Sequence, residues 1–482
     1  MTRTPAITLL LSTFLLSACA VGPDYKPPEI DAAERFDNLD PGAFTPEVTV
    51  TQFWTLFDDE TLERLVVDAL AANHDLRIAL TRVAEARALR GETRLDLAPT
   101  VTAGAGYADQ RLADAQLSGT PFVPRDQQLY DAGFDAFWEL DFFGRIRRAV
   151  EASNAELDAT EASLRDAQVI VTAEVTRTYF ELRGQQQQLG VARRNVDNQR
   201  ETLELTSVRL EGGRGTELDT SRAQGQLSGT LTRIAPLETA IAQSIHRLGV
   251  LTGRKPGALR EILAPSADLP EIPRIAAVGD PAGLLRRRPD IRVAERELSA
   301  STARIGVAVA DLFPRVTFTG TVGLVADSFD GLGDSGSDAY LIAPGISWAA
   351  FDLGRVRARI AGAQARADGA LLRYEQSVLR ALEETENSLV AHARARERLV
   401  HAEQAASANG IAADLARLRF EGGTSDFLQV LDAERSQLEA EDRLAQARTE
   451  AATSLIAVYK SLGGGWENSP MPLPRTVARV PP

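Results

Sequence analysis

Cysteine occurs once in the 482 residues, at Cys19, and histidine four times, at His74, His246, His392 and His401. A single cysteine excludes an intrachain disulfide framework and any multi-cysteine metal centre. The histidines fall into no HExxH or comparable ligand spacing. Positive charge is also in short supply: 53 Lys and Arg against 67 Asp and Glu leave a formal net charge of −14. Phosphate binding needs a basic face, so no nucleic-acid partner is expected. One GxGxxG string is present, Gly331-Leu332-Gly333-Asp334-Ser335-Gly336. It lies between two strand patterns instead of opening a helix, so it reads as an exposed loop. With no Cys/His or Ser/His arrangement either, no enzyme and no cofactor is expected. The hydrophobic share of 44% and charged share of 25% are those of a folded chain. The length suits about three ordinary domains or one elongated, duplicated unit.

What the chain does have is a repeat. Arg209-Leu210-Glu211-Gly212-Gly213 and Arg419-Phe420-Glu421-Gly422-Gly423 each close a long helical pattern, and a second helical pattern starts a few residues later. The two copies are 210 positions apart, a shift that also carries Leu218 onto Leu428 and Ala223 onto Ala433. Paired glycines supply the positive φ that ends a helix, and the Thr or Ser just after them is placed to cap the next one. Each copy therefore reads as the tip of a helical hairpin in an internally duplicated chain.

At the N-terminus, Arg3 is followed by an apolar run from Ile7 to Leu16 and then by Ser17-Ala18-Cys19. This describes a secretory signal peptide at 1–18, too short to span a membrane as a helix. Cysteine directly after Leu-Ser-Ala resembles the bacterial lipobox, which would make Cys19 the lipidated first residue of the mature chain. Several acyl chains at that position suffice for stable anchoring, and Ala20 in place of Asp favours the outer membrane. A proline-rich extended segment follows within 19–60, containing Gly22-Pro23-Asp24-Tyr25 and Phe53-Trp54.

Helical spacing runs from Leu62, with breaks, to about Leu97, and Pro99 ends it. The period then changes from 3.6 to 2. Val101, Ala103, Ala105 and Tyr107 alternate with Thr and Gly, and Ala132, Phe134, Ala136, Trp138 and Leu140 alternate with Asp131, Gly133, Asp135 and Glu139 in a second run. These predict strands near 99–108 and 129–141. A matching pair is expected near 315–325 and 339–350, with Trp348 lying 210 positions after Trp138. Strands of about ten residues can cross a bilayer when tilted. Four strands cannot close a barrel, and open edges are not tolerated in lipid. Either they form a soluble sheet or several chains pool them, three chains supplying an even-numbered twelve.

Each strand pair runs into a Gly-Arg junction, Gly144-Arg145 and Gly354-Arg355, and then into a proline-free helical pattern, 146–211 and 355–421. Each such helix would be roughly 100 Å long. Val175, Leu182, Leu189, Val196, Leu203 and Leu210 recur every seventh residue, as in a coiled-coil seam, with His392, Leu399, Ala406 and Phe420 as a looser counterpart. Mostly polar helices with narrow seams suit a tube wetted on both sides, and suit a solvated coiled coil nearly as well. The predicted layout is a first repeat over 61–252, ending in a helix 216–252, and a linker over 253–288. A second repeat over 289–462 ends in a helix 425–462, and 463–482 is a tail. The linker ends in Leu284-Leu285-Arg286-Arg287-Arg288-Pro289-Asp290. Its arginines read as a local ion-pair cluster more readily than as a binding patch.

The lipobox, Gly22-Pro23-Asp24-Tyr25, Phe53-Trp54 with Phe57, and Asn73-His74-Asp75-Leu76 occur in that order. The Leu284–Asp290 run, Phe313-Pro314, Asp352-Leu353-Gly354-Arg355 and Leu431-Asp432-Ala433 continue it. Each is weak alone; the ordered set, covering about 19–466, resembles the outer membrane factor family of the TolC/OprM type, in its NodT-like lipoprotein branch. The resemblance implies an α+β membrane protein that forms a homotrimer. A twelve-stranded transmembrane β-barrel would continue into a long periplasmic α-helical barrel, with a mixed equatorial domain around it. It implies a passive exit duct in the outer membrane, extending into the periplasm. The hairpin tips at Gly212, Gly213, Gly422 and Gly423 would meet a periplasmic adaptor (a membrane fusion protein) bound to an inner-membrane pump of the RND type. Matching the motif past the second tip, Leu428 falls on a hydrophobic constriction, Asp432 on an acidic ring and Arg435 on its basic partner. Three carboxylates around a narrow pore attract cations and disfavour anions. The position equivalent to Asp432 in the first repeat is Arg222, placed to pair with an acid on the other hairpin. Two alternatives are a lipid-anchored periplasmic coiled-coil scaffold without a pore and a type I protein secretion exit duct. A scaffold has no need of the four alternating strands.

Overall fold

The computed structural model describes residues 20–29, 33–47, 50–116 and 124–467. The expected signal peptide at 1–18 and the expected lipidation site Cys19 lie outside the described residues. Successive helices are α1 (Glu60–Ala72), α2 (His74–Leu95), α3 (Arg145–Glu211), α4 (Glu217–Leu231), α5 (Ile234–Leu251), α6 (Pro281–Arg287), α7 (Pro289–Ala310), α8 (Leu353–Glu421) and α9 (Phe427–Ser461). Four long strands are interleaved: β1 (Thr100–Arg111) and β2 (Asp126–Leu140) before α3, β3 (Arg315–Ala326) and β4 (Asp338–Ser347) before α8. No helix among the described residues is long and apolar enough to cross a membrane. The described residues divide into two compact units, one holding those within 20–29, 83–160 and 293–375, the other the rest of them.

The first unit carries the sheet. Its order is β1-β2-β3-β4, antiparallel throughout, so among the described residues β1 and β4 are open edges. Register pairs Val101 with Ala136, Phe134 with Val322 and Gly320 with Ile342. Strand periodicity therefore gathers Val101, Phe134, Val322, Ile342 and Ile346 on one face, all of them more than half exposed. The other face collects Thr102, Gly104, Asp131, Asp135, Thr319 and Thr321, with Thr321 Oγ1 donating to Asp135 Oδ1 at 3.0 Å. A largely apolar face and a largely small, polar face, on which Leu129, Phe137, Val325 and Leu341 are the exposed apolar exceptions, fit a sheet with lipid on one side and water on the other.

Both strand pairs are pinned in the same way. Trp138 Nε1 donates to Leu97 O at 3.1 Å and Trp348 Nε1 to Leu312 O at 3.0 Å, each carbonyl lying two residues before a proline. At the first junction Arg145 makes two 2.7 Å bonds to Glu139, and Gly144 adopts a φ of 80°. The second junction differs, since Gly354 is already inside α8.

Residues 20–25 strap across this unit. Val21 N donates to Phe143 O, Gly22 packs on Gly306, and Ala20 packs on Gly144. Arg148, with a side chain 6% exposed, donates to Val21 O and to Asp24 and Glu151. Tyr25 Oη donates to Glu295 Oε1 at 2.5 Å.

The second unit has the main apolar core. Phe53, Trp54 and Phe57 pack with Tyr179, Phe180, Leu389, Leu455 and Tyr459, and Phe53 stacks on Tyr459 at 5.2 Å. Asn73 separates α1 from α2. Its Oδ1 accepts from Asp75 N and Leu76 N, and its Nδ2 donates to Leu251 O, which accounts for the Asn-His-Asp-Leu motif. His392 is buried against Phe44, with Nδ1 3.0 Å from Ser454 Oγ. Burial brings its pKa down to about 4, so it is a neutral packing group.

The seven-residue seam of α3 is buried at Val175, Leu182, Leu189 and Val196, half-buried at Leu203 and exposed at Leu210. The predicted single helix over 216–252 is in fact two. α4 ends at Leu231 and α5 starts at Ile234. Pro236, which has no N–H for Thr232 O and whose ring crowds that carbonyl, accounts for the break. Position 446 of α9 is Gln, and that helix runs 35 residues unbroken.

The arginine run is an ion-pair cluster, as the sequence suggested. Arg288 is buried and bonds Ser461 O (2.6 Å), Asp290 (2.8 Å) and Glu384 (2.8 Å), while Arg287 pairs with Glu467. Asp166 sits in the same field. Burial, reinforced by Asp290 and opposed by Arg288 and Lys460, pushes its carboxyl up to about 6. A carboxyl raised in this way holds its proton more tightly when folded, so stability falls as pH rises from about 4 to about 6 and stays lower above that. Asp166→Asn is expected to melt a few degrees higher than wild type at pH 7.5, a gain on the order of 2 kcal/mol. At pH 4 the gain disappears, which thermal melts at the two pH values check.

Candidate functional site

The two hairpin turns lie in the second unit and repeat each other in backbone geometry. Gly213 has a φ of 70° and Gly423 of 71°. Arg214 N bonds Arg209 O at 2.8 Å, and Thr424 N bonds Arg419 O at 2.9 Å. Gly213 N reaches Leu210 O and Gly423 N reaches Phe420 O, both at 3.0 Å. This pair of bonds, six-to-one and five-to-two, around a left-handed residue is the Schellman stop, and it needs glycine at Gly213 and Gly423. Gly212 and Gly422 close the last helical turn, bonding Val208 O and Leu418 O.

The caps that follow differ. Thr216 opens α4 with a full capping box, exchanging bonds with Asp219. In the second copy the expected Thr or Ser cap is replaced: Asp426 accepts from Gln429 N at 3.1 Å, and Thr424 Oγ1 donates back to Arg419 O. Asp426 stands 210 positions after Thr216, so the cap position is the same and only its chemistry has changed.

The two turns are tied together. Arg209 Nη2 donates to Phe420 O at 2.8 Å and Glu421 O at 3.3 Å, and its guanidinium lies 3.9 Å from the Phe420 ring. One cation thereby satisfies the last carbonyls of α8 and stacks on its terminal aromatic. Beneath it Phe420, Phe427, Val430, Leu431 and Ala223 form a small separate core, with the two phenylalanine rings 5.4 Å apart. Above it is a groove of about 750 Å³ lined by Arg209, Arg214, Asp219, Arg222, Asp426 and Leu428, among others.

Helix α9 presents two distinct faces here. Phe427, Val430, Leu431, Glu434 and Leu438 are buried. Leu428, Asp432 and Arg435, spaced four and then three residues apart, share the other face. Leu428 is 54% exposed, and its first-repeat counterpart Leu218 is 57% exposed. Arg435 Nη2 bonds Asp432 Oδ1 at 2.8 Å, with side chains 65% and 66% exposed. The structure thus brings the three expected gate residues onto one solvent-facing stripe just past the second turn. Arg222 lines the groove but has no carboxylate within 4.0 Å among the described residues, so the expected pairing across hairpins is not formed within one chain.

Sequence reading missed Arg209, whose partners are about 210 residues away, and Glu434. The signal for Glu434 was present, because an acid at that position falls in the middle of the i, i+3, i+4, i+7 apolar stripe of α9. Among the described residues no group of three or more His, Cys, Asp or Glu is arranged to hold a metal ion.

Comparison with known proteins identifies the architecture. The family model described as outer membrane efflux protein matches residues 65–254 and 281–464. Nodulation protein T of Rhizobium leguminosarum bv. trifolii is 31% identical over 471 residues, covering 94% of this chain and 96% of the relative. Toluene efflux pump outer membrane protein TtgF of Pseudomonas putida is 32% identical over 478 residues, covering 97% and 98%. Among solved structures, the outer-membrane channel OprN superposes with a TM-score of 0.87 at 44% identity, over 93% of this chain and all of that one. A sheet with a lipid-type face, paired helical turns and full-length similarity to efflux channels converge on one answer: the chain belongs to the outer membrane efflux protein family and is an outer membrane channel for efflux.

Proposed function

We propose that three copies of this chain assemble into the exit duct of a tripartite efflux system, pooling their strands into a twelve-stranded barrel. The observation that carries this reading is the open four-stranded sheet. Among the described residues its edges β1 and β4 are unpaired, and its apolar face is exposed. In lipid, every backbone donor and acceptor must be satisfied, so such a sheet is viable only when its edges close on further copies. The exposed apolar residues of the helices, among them Leu372, Leu379, Ile411 and Leu418, support helical contacts between subunits. The matched turns, the matched Trp bonds and the two segments of the family match support an internal duplication, with repeats at 61–252 and 289–462.

Within this duct the exposed stripe Leu428, Asp432 and Arg435 forms the gate. Three copies around an axis give a leucine constriction and rings of opposite charge, so the resting pore is narrow and favours cations. The turns at Gly212-Gly213 and Gly422-Gly423 meet the adaptor, which links the duct to an inner-membrane pump of the RND type. Cys19 carries the lipid anchor; the packing of Ala20 and Val21 on Gly144 and Phe143, where β2 ends, supports an anchor placed beside the barrel.

Planar-bilayer recording of the purified mature protein tests this reading. Small, cation-preferring single-channel currents are expected. Folded protein inserted in lipid that passes no current would favour a pore-less scaffold.

A further inference from the structure

Helix α8 leaves the sheet carrying a row of arginines. Arg359, Arg366 and Arg373 recur every seventh residue, about 10 Å apart along the axis. Gly362 and Gly369 fall between them on the same face, and a Cβ added at either glycine would meet nothing within 4 Å. All three arginines are exposed. Arg359 Nη1 donates to Asp311 Oδ2 at 3.1 Å. Arg366 and Arg373 have no carboxylate within 4.0 Å among the described residues.

The sheet shows which way this row points. Asp311 also accepts from Arg315 Nη2, and Arg315 has the strand parity of Thr317, Thr319 and Thr321, on the polar face. Around α8, Val356, Ala363, Ala367, Ala370 and Tyr374 are buried. At 3.6 residues per turn the arginines stand about a quarter turn from that stripe. Asp368 and Glu375 lie on the opposite flank, and Leu372 lies roughly opposite the buried stripe. The row has no counterpart in the first repeat. Ala149, Glu156 and Ser163 stand 210 positions earlier, and Glu156 pairs with Arg304. The shared helical geometry therefore does not demand arginine at these positions.

We propose that the row is an anion track: Arg359, Arg366 and Arg373 line the bore where the sheet gives way to helix, and bind small organic anions bearing carboxylates. The track rests on the trimeric duct proposed above and names a class of solute for it. Guanidinium groups match carboxylates in bidentate geometry, and arginines lining a pore favour anions as acids favour cations. In a chain of net charge −14, such a row reverses the local field. Its spacing is close to the Debye length of about 10 Å at 0.1 M salt, so neighbouring arginines act together in dilute salt and separately in strong salt.

Single-channel recording of purified trimers tests the track, with citrate added on the side of the strand loops. Trimer mass and melting are checked for each variant. Citrate is expected to block wild-type current, more weakly as KCl rises from about 0.1 M to about 1 M. In Arg366→Gln with Arg373→Gln the half-blocking concentration should rise about fivefold or more, and the reversal potential in a KCl gradient should shift toward cations. Arg366→Lys with Arg373→Lys keeps the charge and should keep most of the block. Glu375→Gln, on the opposite flank, should block like wild type. Wild-type current that citrate does not block, or block and reversal potential unchanged in conducting double-glutamine trimers, overturns the track and leaves the duct standing. Double-glutamine trimers that melt earlier with block unchanged would put the arginines against a neighbouring subunit and overturn the track as well. No current through folded wild-type trimers inserted in lipid overturns duct and track together.

Discussion

Replacing Leu428 and Asp432 together by alanine is expected to raise single-channel conductance by roughly fivefold or more and to weaken cation preference. Both side chains lie on the exposed stripe of α9, and neither belongs to the buried cluster of Phe420, Phe427, Val430 and Leu431. Their removal therefore widens the mouth without unpacking the turn beneath it. The Asp432–Arg435 pair is exposed on both sides, and ion pairs of that kind contribute about 1 kcal/mol or less to stability. Melting should stay close to wild type. Phe427→Ala provides the contrast, since truncating a buried aromatic typically costs on the order of 3 kcal/mol. It should lower stability while leaving the Leu428 and Asp432 side chains in place. If the double alanine variant conducts like wild type, the constriction lies elsewhere.

Gly323→Val is expected to abolish assembly in the outer membrane. Gly323 pairs directly with Gly133 across β2 and β3. A Cβ at Gly323 would lie 2.5 Å from Ala132 O and 2.8 Å from Gly133 Cα, and one at Gly133 would lie 2.7 Å from Val322 O. All of these are backbone atoms, which cannot move aside without parting the strands. Among the described residues the β2–β3 ladder is the only strand pairing that joins the two hairpins, so parting it divides the sheet at its centre. Gly320→Ala is the control: three residues away, its added carbon meets only ordinary contacts at 3.5 Å and beyond. Quantifying folded trimer extracted from outer membranes separates the two. Equal yields would mean that β2 and β3 pair differently in the assembled barrel.

Much of this architecture is legible in the sequence because it is periodic. Alternation of Val101, Ala103 and Ala105 with small residues marks β1, and the same rule finds the other three strands. Carbonyls just ahead of a proline and Trp138 or Trp348 recur in both halves, and Gly-Gly ends both long helices. The strand ends extend a few residues beyond the expected bounds, into Arg111 and Asp126, because the hairpin ladder continues past the apolar alternation. Local rules were weaker where chemistry changed under a common geometry. The cap at Asp426 does the work of Thr216, and a reading tuned to Thr and Ser passed over it. Contacts between segments distant in sequence were not legible at all. Arg209 reaches the carbonyls of Phe420 and Glu421, and Arg148 holds the strap at Val21; no spacing rule announces either. Pro236 is a local signal with a local effect, and it explains why α4 and α5 are two helices where α9 is one.

Channel, gate and adaptor docking all require three copies closing one barrel. The most direct measurement is the native mass of the mature protein extracted from outer membranes in detergent. A single species of three chains, each with its acylated N-terminal cysteine, is expected. A stable, folded single chain or a dimer, at concentrations where the protein is inserted in the membrane, would contradict it.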